Sequence, residues 1–318
     1  MPSSTEILFA LGLGDQVVAV THECDYPPEA LTKPKVTRSE ISPALSSIEI
    51  DFRVRQQLEN IGTLYQLDVE LLDSLSPDII FTQQLCTVCA VSYDNVFRVA
   101  QKIKSKPKVV NLEPQSLEGI FQNILEVGRL TGRISKANNV VNELQGRVER
   151  VRKLTQTLER KRVLCLEWLD PPFCAGHWIP ELVELAGGSD ALGRKHQPSS
   201  QVAWNQILSY NPDVIVVMCC GFSIERTLRE ISVLKNPMLE RLSAVKNNNL
   251  FVVDGSSYFS RPGPRIVDSL EILTTIFHLN ELTYGLVESC QPKLFPIEYP
   301  QNIVQQVYLT ETGHFTNI

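Results

Sequence analysis

The most reactive side chains of this sequence are cysteines and histidines that follow short apolar segments. Cys86 and Cys89 have the Cys-x-x-Cys spacing, which can chelate a metal ion or form a redox disulfide. Either role needs thiolate, and a position between a strand end and a helix start favours thiolate. His22 or Cys24 would complete a donor set for zinc, iron or another borderline cation. The alternative is a group of separately packed thiols that line a pocket.

Two distant segments resemble each other, which predicts two similar lobes. Residues 6–15, Glu-Ile-Leu-Phe-Ala-Leu-Gly-Leu-Gly-Asp, are echoed at 181–190 by Glu-Leu-Val-Glu-Leu-Ala-Gly-Gly-Ser-Asp. Further along, 75–82 is echoed by 208–217, and both copies lead into cysteines. The glycines that close the first pair of segments are predicted to stop helices. A repeat at this long spacing predicts two lobes facing each other across a cleft, where small ligands bind.

Strands and helices alternate in both halves of the sequence. Short apolar runs rich in β-branched residues predict strands buried on both faces, as in a parallel sheet. The predicted strands are 16–21, 77–82, 108–112, 161–167, 213–218 and 250–253. The predicted helices between them are approximately 5–13, 68–74, 91–105, 116–130 and 264–278. Near the middle of the chain, apolar residues spaced by three and four predict one long helix that joins the lobes.

These elements predict an α/β protein with two Rossmann-like lobes. The expected parts are an N-terminal α/β lobe at 1–133, a lobe-linking helix at 134–160, a C-terminal α/β lobe at 161–280 and an extension at 281–318. The extension is rich in Pro, Gln and Thr and has weak periodicity, so we expect it to be only partly ordered.

The composition excludes several classes of function. The 318 residues carry a formal net charge of −6, which provides no basic surface for nucleic acid or for an anionic membrane. No apolar run approaches the roughly 20 residues that span a bilayer. The sequence also lacks the nucleophile elbow, the phosphate-binding loop and the zinc-protease motif. We therefore expect no enzyme. Thiol or metal chemistry at Cys86 and Cys89 is the one alternative with a catalytic basis.

Ligands of open α/β sheets bind outside the carboxyl ends of the strands. Applied to each predicted strand, this rule selects aromatic and polar side chains, which suit a large flat organic ligand. The candidates are His22, Asp25, Tyr26, Gln83, Trp168, Phe173, His177, Phe222, Asp254, Tyr258, Phe259 and Arg261. For Trp168, Tyr258 and Phe259 the alternative is a place in the core, and for Arg261 a role at the entry to a helix.

A series of short segments resembles the substrate-binding proteins of cobalamin and iron-siderophore importers. The segments are 2–12, 22–27, 85–92, 175–182, 220–222 and 258–265, and the likeness spans about residues 1 to 280. It is strongest for the cobalamin-binding-like branch, whose members often lack a signal peptide. The resemblance implies the class III substrate-binding-protein fold and a noncovalently bound cobalamin or related corrinoid or tetrapyrrole. It adds Ser3 and Ser4 to the ligand-binding candidates.

Two departures from this family bear on the role of the protein. Importer-type members dock to an ABC permease through a carboxylate on each lobe, but Trp204-Asn-Gln206 carries none near the expected position. Met1-Pro-Ser-Ser-Thr-Glu6 also lacks the regions of a signal peptide. We therefore expect a cytoplasmic carrier or sensor of a small molecule rather than an import receptor. Family members open with a short strand before this segment, so either the true start lies upstream or the lobe has lost that strand.

Overall fold

The structure is a computed structural model that describes residues 1–42, 44–61, 64–83, 93–234, 239–279, 304–309 and 315–317. Its contacts divide the chain into two compact units. Unit 1 comprises Met1–Pro114, Glu118–Glu143 and Pro262–Pro264, and unit 2 comprises Gln115–Leu117, Leu144–Arg261 and Arg265–Ile318. The predicted domain bounds near 133 and 160 stay predictions.

Unit 1 alternates helices with short strands. Its helices are α1 (Pro2–Ala10), α2 (Ser47–Ile61), α3 (Val69–Leu75), α4 (Tyr93–Ala100) and α5 (Leu117–Leu130, whose first residue belongs to unit 2). Its strands are β1 (Thr37–Ser39), β2 (Tyr65–Leu67), β3 (Ile79–Thr82) and β4 (Lys108–Asn111). β3 and β4 pair in parallel and confirm two of the predicted strands. The sequence did not predict α2, β1 or β2, which pairs antiparallel with β1.

The predicted strand at 16–21 is wrong. The segment forms one isolated parallel bridge, between Val20 and Lys35. Val20 N donates to Pro34 O at 2.9 Å, and Val36 N donates to Val20 O at 3.0 Å. β-branched residues favour a strand only where neighbouring strands pair with them over several residues. Here the pairing stops at a single residue, so the apolar run stays irregular.

Unit 2 follows the long helix α6 (Ile134–Thr155), inside which the two units divide. Its strands are β5 (Lys161–Leu169), β6 (Pro172–Cys174), β7 (Gly176–His177), β8 (Gly188–Ser189), β9 (Arg194–Lys195), β10 (Ser200–Gln201), β11 (Val214–Val217), β12 (Leu250–Val253), β13 (Val304–Leu309) and β14 (Phe315–Asn317). Its other helices are α7 (Ile179–Leu185), α8 (Trp204–Tyr210), α9 (Ile224–Glu230), α10 (Ser243–Lys246) and α11 (Ile266–Phe277).

The main sheet of unit 2 has the order β10-β6-β5-β11-β12-β13-β14, with β8 beside β5. β5, β11 and β12 run parallel, as predicted, and β11 is buried along its whole length. Burial on both faces explains its unbroken apolar sequence. The outer strands are antiparallel. Within the extension 281–318 the structure describes two strands, at 304–309 and 315–317, on the β12 side of the sheet, and the partial order expected for this extension stays a prediction.

Two glycines end the helices of the repeated segments, as the sequence predicts. Gly12 follows α1 with φ 74°, and Gly187 follows α7 with φ 82°. This left-handed conformation is strained for residues with a Cβ atom. After α1, Leu13 N donates to Leu8 O at 2.9 Å, which closes the helix end.

An ion-pair network joins α6 to α11 within unit 2. Arg147 Nη2 lies 2.5 Å from Asp268 Oδ1 and 2.6 Å from Glu271 Oε2. Arg147 Nε donates to Glu271 Oε1 at 2.9 Å. Burial opposes the charge on Arg147, but the hydrogen bonds to both carboxylates outweigh it and raise its pKa. Among the helices that the structure describes, none is both long and apolar enough to cross a membrane.

Candidate ligand site

The carboxyl-terminal part of β5 and the segments that follow β11 and β12 are hydrogen-bonded to one another at the carboxyl edge of the sheet in unit 2. Cys220 N donates to Glu167 O at 3.0 Å, and Ser256 N donates to Phe222 O at 3.1 Å. The turn after β12 comes so close to β11 that a Cβ on Gly255 would lie 2.3 Å from Cys219 O. We name the aromatic side chains of this region the aromatic edge. They are Trp168, Phe173, Phe222, Tyr258 and Phe259.

Trp168 and Phe222 form the best-defined contact of the aromatic edge. Their ring centroids are 4.9 Å apart at an interplanar angle of 51°. Phe173 lies opposite Trp168 in the β5–β6 register, and the Arg226 guanidinium carbon lies 4.3 Å from the Phe222 ring centroid. The Trp168 Nε1–H is buried and has no hydrogen-bond partner within the described residues. A desolvated donor of this kind costs about 1–3 kcal/mol until an acceptor reaches it.

The turn at Gly255–Phe259 is held by its own hydrogen bonds. Asp254 Oδ1 accepts from Ser257 N at 2.8 Å, so this predicted ligand residue caps the turn. Phe259 is 2% exposed, and its carbonyl accepts from Trp178 Nε1 at 3.1 Å. The core alternative raised for Phe259 therefore describes its position. Tyr258 is half-buried, and its ring centroid lies 5.1 Å from the Arg265 guanidinium carbon.

His177 also lies in unit 2, directly before Trp178 at the start of α7. Its Nδ1 lies 3.0 Å from Gln115 Oε1, and its ring centroid is 5.6 Å from that of Trp178. Burial lowers the pKa of His177, which favours the neutral imidazole. Arg261, the last predicted residue of this unit, is buried with 5% exposure.

Glu167, Ser199 and Gln115 are site residues that the sequence prediction missed. Glu167 Oε1 accepts from Gly176 N at 3.4 Å, and Ser199 Oγ hydrogen-bonds to Glu167 Oε2. The strand-end rule could have found Glu167, because it directly precedes Trp168 in β5. No strand-end signal marks Ser199 or Gln115, which precede β10 and α5 respectively.

His22 is the most constrained of the predicted residues of unit 1. Its backbone N donates to Thr37 Oγ1 at 3.1 Å, and its Nδ1 lies 2.8 Å from the same hydroxyl. The ring centroid is 5.3 Å from that of Tyr65. Burial and then the Lys35 ammonium group lower the pKa of His22, so the neutral form is favoured.

The other predicted residues of unit 1 differ in exposure. Ser3 and Ser4 are buried in the first turn of α1, and Ser4 Oγ donates to Met1 O at 3.0 Å. Gln83 is half-buried after β3, whereas Asp25 and Tyr26 are exposed.

Cys24 is fully buried in unit 1. Its Sγ lies 3.3 Å from Thr5 Oγ1 and 3.2 Å from Thr21 Oγ1. Cys86 and Cys89 lie outside the described residues. Within the described part of the chain, no group of three or more His, Cys, Asp or Glu side chains is placed to hold a metal ion. The metal or redox site at Cys86, Cys89, His22 and Cys24 therefore stays a prediction.

The chain is similar to known binding proteins over most of its length. The family model described as periplasmic binding protein matches residues 1–256. A vitamin B12-binding protein of Vibrio cholerae is 24% identical over 279 residues, which cover 86% of each chain. A cobalamin-binding protein of Halobacterium salinarum is 24% identical over 290 residues, which cover 87% of this chain and 68% of the relative.

Solved structures share the fold. The periplasmic vitamin B12-binding protein of Vibrio cholerae superposes with a TM-score of 0.65 at 21% identity, covering 88% of this chain and 95% of that one. The periplasmic heme-binding protein of a Roseiflexus species gives a TM-score of 0.66 at 21% identity, covering 87% and 95%. These likenesses confirm the predicted α/β fold of the class III periplasmic binding proteins.

Proposed function

Because this chain belongs to the periplasmic binding protein family, we propose that it binds cobalamin or a related corrinoid. The family consists of substrate-binding proteins, which confirms the prediction that the chain is not an enzyme. Relatives described as vitamin B12-binding and cobalamin-binding each match more than four-fifths of this sequence, and this supports a corrinoid as the ligand class.

The observation that carries the proposal is the buried Trp168 Nε1–H within the aromatic edge. A corrinoid is a large, nearly flat ring system with amide side chains, so it offers an apolar face and carbonyl acceptors together. The half-buried Trp168 ring, packed against the buried Phe222 ring, offers an apolar face, and the indole N–H offers a donor that is already removed from water. Aromatic walls with a few placed polar groups are typical of sites for such ligands.

The test is a titration of the purified protein with cobalamin, cobinamide and hemin, followed by tryptophan fluorescence. We expect saturation by the corrinoids at micromolar concentration or below. The Trp168→Phe variant keeps an aromatic ring but loses the donor, so corrinoid affinity should fall about 5- to 20-fold, as for one lost hydrogen bond. Trp204→Phe, on α8, is the matched control and should bind like the wild type. Folded protein that shows no saturable change with either corrinoid contradicts the proposal, and so does saturation by hemin alone.

We also propose that the protein acts as a cytoplasmic carrier or sensor rather than as an import receptor. Support comes from the start of α8, where Asn205 and Gln206 are exposed and uncharged near the position at which the family resemblance implies a carboxylate. A surface without that charge lacks one half of an ion pair with a permease. Fractionation of the native host tests this. Protein found outside the cytoplasm, or co-purified with an ABC permease, overturns it.

A further inference from the structure

His177 is tied to the aromatic edge through both of its neighbours in the chain. On one side, Gly176 N donates to Glu167 Oε1 at 3.4 Å, in the carboxyl-terminal part of β5. On the other side, Trp178 Nε1 donates to Phe259 O at 3.1 Å. The backbone of His177 is therefore fixed at the edge of the unit 2 sheet that carries the aromatic side chains.

The backbone conformation of His177 is one that residues with a Cβ atom rarely adopt. Its φ is 53°, in the left-handed region. Two hydrogen bonds enforce this conformation: His177 N donates to Gln197 O at 2.6 Å, and His177 O accepts from His196 N at 2.8 Å. Strain that the surrounding backbone enforces is concentrated at functional sites, so the direction of this imidazole points to a functional role.

The two ring nitrogens of His177 have different surroundings. Nδ1 lies 3.0 Å from Gln115 Oε1, which can only accept a hydrogen bond, so the proton of the neutral ring is on Nδ1. Nε2 then carries an unshared electron pair, and within the described residues no hydrogen bond to Nε2 is found. The side chain is half-buried, and burial lowers its pKa, which keeps this electron pair free of a proton near neutral pH.

A neutral imidazole held in this way can bind a metal ion. Metal-binding histidines as a rule donate their other ring N–H to an acceptor, which fixes the tautomer and the direction of the ring, and Gln115 is such an acceptor. In the part of the chain that the structure describes, no cluster of three or more His, Cys, Asp or Glu side chains could hold a bare ion. The metal that suits His177 is therefore one that brings most of its own donors. The cobalt of a corrinoid does so, because the ring nitrogens hold it and leave the axial positions to other ligands.

We propose that His177 Nε2 is an axial ligand to the cobalt of the bound corrinoid, and that Gln115 is the residue that positions the imidazole. This inference rests on the proposed function, because it needs a corrinoid at the aromatic edge. In the binding step a Co–N bond forms and the Co–O bond to an axial water breaks. The water leaves, and no proton or electron is transferred.

The test uses cob(II)inamide, which has an unpaired electron on cobalt and lacks the nucleotide base of cobalamin. Any nitrogen that binds its axial position must then come from the protein. Electron paramagnetic resonance spectra are recorded with unlabelled protein and with protein that carries the heavy nitrogen isotope. We expect each cobalt line to split into a triplet with unlabelled protein and into a doublet with labelled protein.

His177→Asn should abolish the splitting and weaken cobinamide binding at least about tenfold, since asparagine tolerates the left-handed conformation but lacks the imidazole. His177→Gly, which relieves the backbone strain, should do the same. The matched control is His196→Asn, because His196 also has a left-handed backbone, with φ 59°, and its side chain is 47% exposed. That variant should keep the splitting and the affinity.

Gln115 is tested as a positioning residue by two variants. Gln115→Leu leaves Nδ1–H without its acceptor, so cobinamide affinity should fall about 10- to 100-fold while the triplet remains at saturating ligand. Gln115→Glu again offers an acceptor and should recover most of the affinity. Equal affinities of the two variants would show that Gln115 does not position the ring.

The outcomes separate this inference from the proposed function. Saturable cobinamide binding without nitrogen splitting overturns the coordination by His177 and leaves corrinoid binding in place. Splitting that persists in His177→Asn or His177→Gly does the same, because the nitrogen then belongs to another residue. Folded wild-type protein that binds neither cobalamin nor cobinamide overturns both proposals.

Discussion

At the scale of single residues, two tryptophans of unit 2 differ in the hydrogen bonding of their indole N–H groups. Trp178 donates to Phe259 O at 3.1 Å, whereas Trp168 has a buried N–H with no partner within the described residues. Replacing either ring by phenylalanine removes the donor and keeps most of the apolar surface. The two substitutions therefore separate a hydrogen bond that stabilises the fold from a donor that is available to a ligand.

We predict that Trp178→Phe lowers the free energy of unfolding by about 1–3 kcal/mol, because it leaves the buried Phe259 carbonyl unpaired. Trp168→Phe should change it by no more than about 1 kcal/mol, because it removes a donor that the fold leaves unsatisfied. Urea titrations of the ligand-free proteins measure both values. Equal losses in the two variants contradict the assignment of the Trp168 N–H to ligand binding.

Asp190 gives a prediction about pH. Its Oδ1 accepts from Gly193 N at 2.8 Å and from Leu192 N at 3.1 Å, yet burial raises the pKa of the carboxyl to about 6. An unfolded aspartate has a pKa of about 3.9. Between these values the folded protein binds more protons than the unfolded chain, so its stability falls as the pH rises from about 4 to about 6.

We therefore expect Asp190→Asn to remove a decline in stability of roughly 1–3 kcal/mol between about pH 4 and pH 7. The measurement is the free energy of unfolding in urea at several pH values, taken as the difference between wild type and variant. Ser189→Ala, an exposed neighbour without a titratable group, should keep the wild-type pH dependence. A pH-independent difference between wild type and Asp190→Asn would show that the carboxyl does not titrate in this range.

At the scale of elements, the ion pairs of Arg147 hold α6 against α11. The guanidinium is only 14% exposed, and Glu271 is 2% exposed. Removing the cation leaves two carboxylates close together and largely away from water. We expect Arg147→Met to cost about 3–5 kcal/mol, as for other broken buried ion pairs. Arg152→Met, at an exposed pair on the same helix, should cost less than about 1 kcal/mol. Chemical unfolding of both variants measures the two losses in stability. Equal losses would show that Arg147 contributes only through the packing of its aliphatic stem.

The turn after β12 makes a second prediction at this scale. A Cβ on Gly255 would lie 2.3 Å from Cys219 O and 2.6 Å from Met218 O, and backbone atoms cannot move aside as a flexible side chain can. Gly255→Ala should lower stability by about 2 kcal/mol or more and weaken ligand binding at the aromatic edge. Gly146→Ala in α6 is the control, since the nearest atom to its Cβ is Arg150 Nη1 at 3.9 Å. That variant should gain up to about 1 kcal/mol. Thermal unfolding compares the stabilities of the two variants. Equal Tm values would contradict the close contact between Gly255 and the backbone of Met218 and Cys219.

The sequence correctly predicted the strands that can be recognised from their own amino-acid composition. β11 and β12 are buried along their whole length and β5 is buried at 163–166, so their apolar runs identified them. The segment 16–21 has a similar composition but forms no strand, because its backbone pairs with a neighbouring segment only at Val20, opposite Lys35. Trp168 and Phe222 were found because they lie just beyond the predicted strands 161–167 and 213–218, although β5 itself extends to Leu169. Gln115 was not, because it reaches His177 through a loop that sequence patterns do not mark.

At the scale of the whole molecule, the sheet of unit 2 is completed by the last residues of the chain. β13 pairs with β12 in an antiparallel register from Leu250–Val307 to Val253–Val304. Val307 is 2% exposed, so a charge there would be buried without a partner. We expect Val307→Asp to cost about 3 kcal/mol or more and to cause aggregation on mild heating. Gln305→Asp, at a half-buried polar position, should cost less than about 1 kcal/mol. Light scattering during a thermal ramp distinguishes them, and matching curves argue against a stabilising role for β13.

The late position of β13 also has a consequence in time. Ribosomes add about 5–20 residues per second, so the interval between the synthesis of Val253 and that of Leu309 is on the order of seconds. Throughout that interval one edge of β12 is without its neighbour, although the strand itself already exists. A nascent chain of this protein therefore carries an uncovered, entirely apolar strand edge until Leu309 has been synthesised. Slower translation of the codons between Val253 and Leu309 would lengthen this exposure and increase the demand for chaperones, even though the amino-acid sequence would be identical.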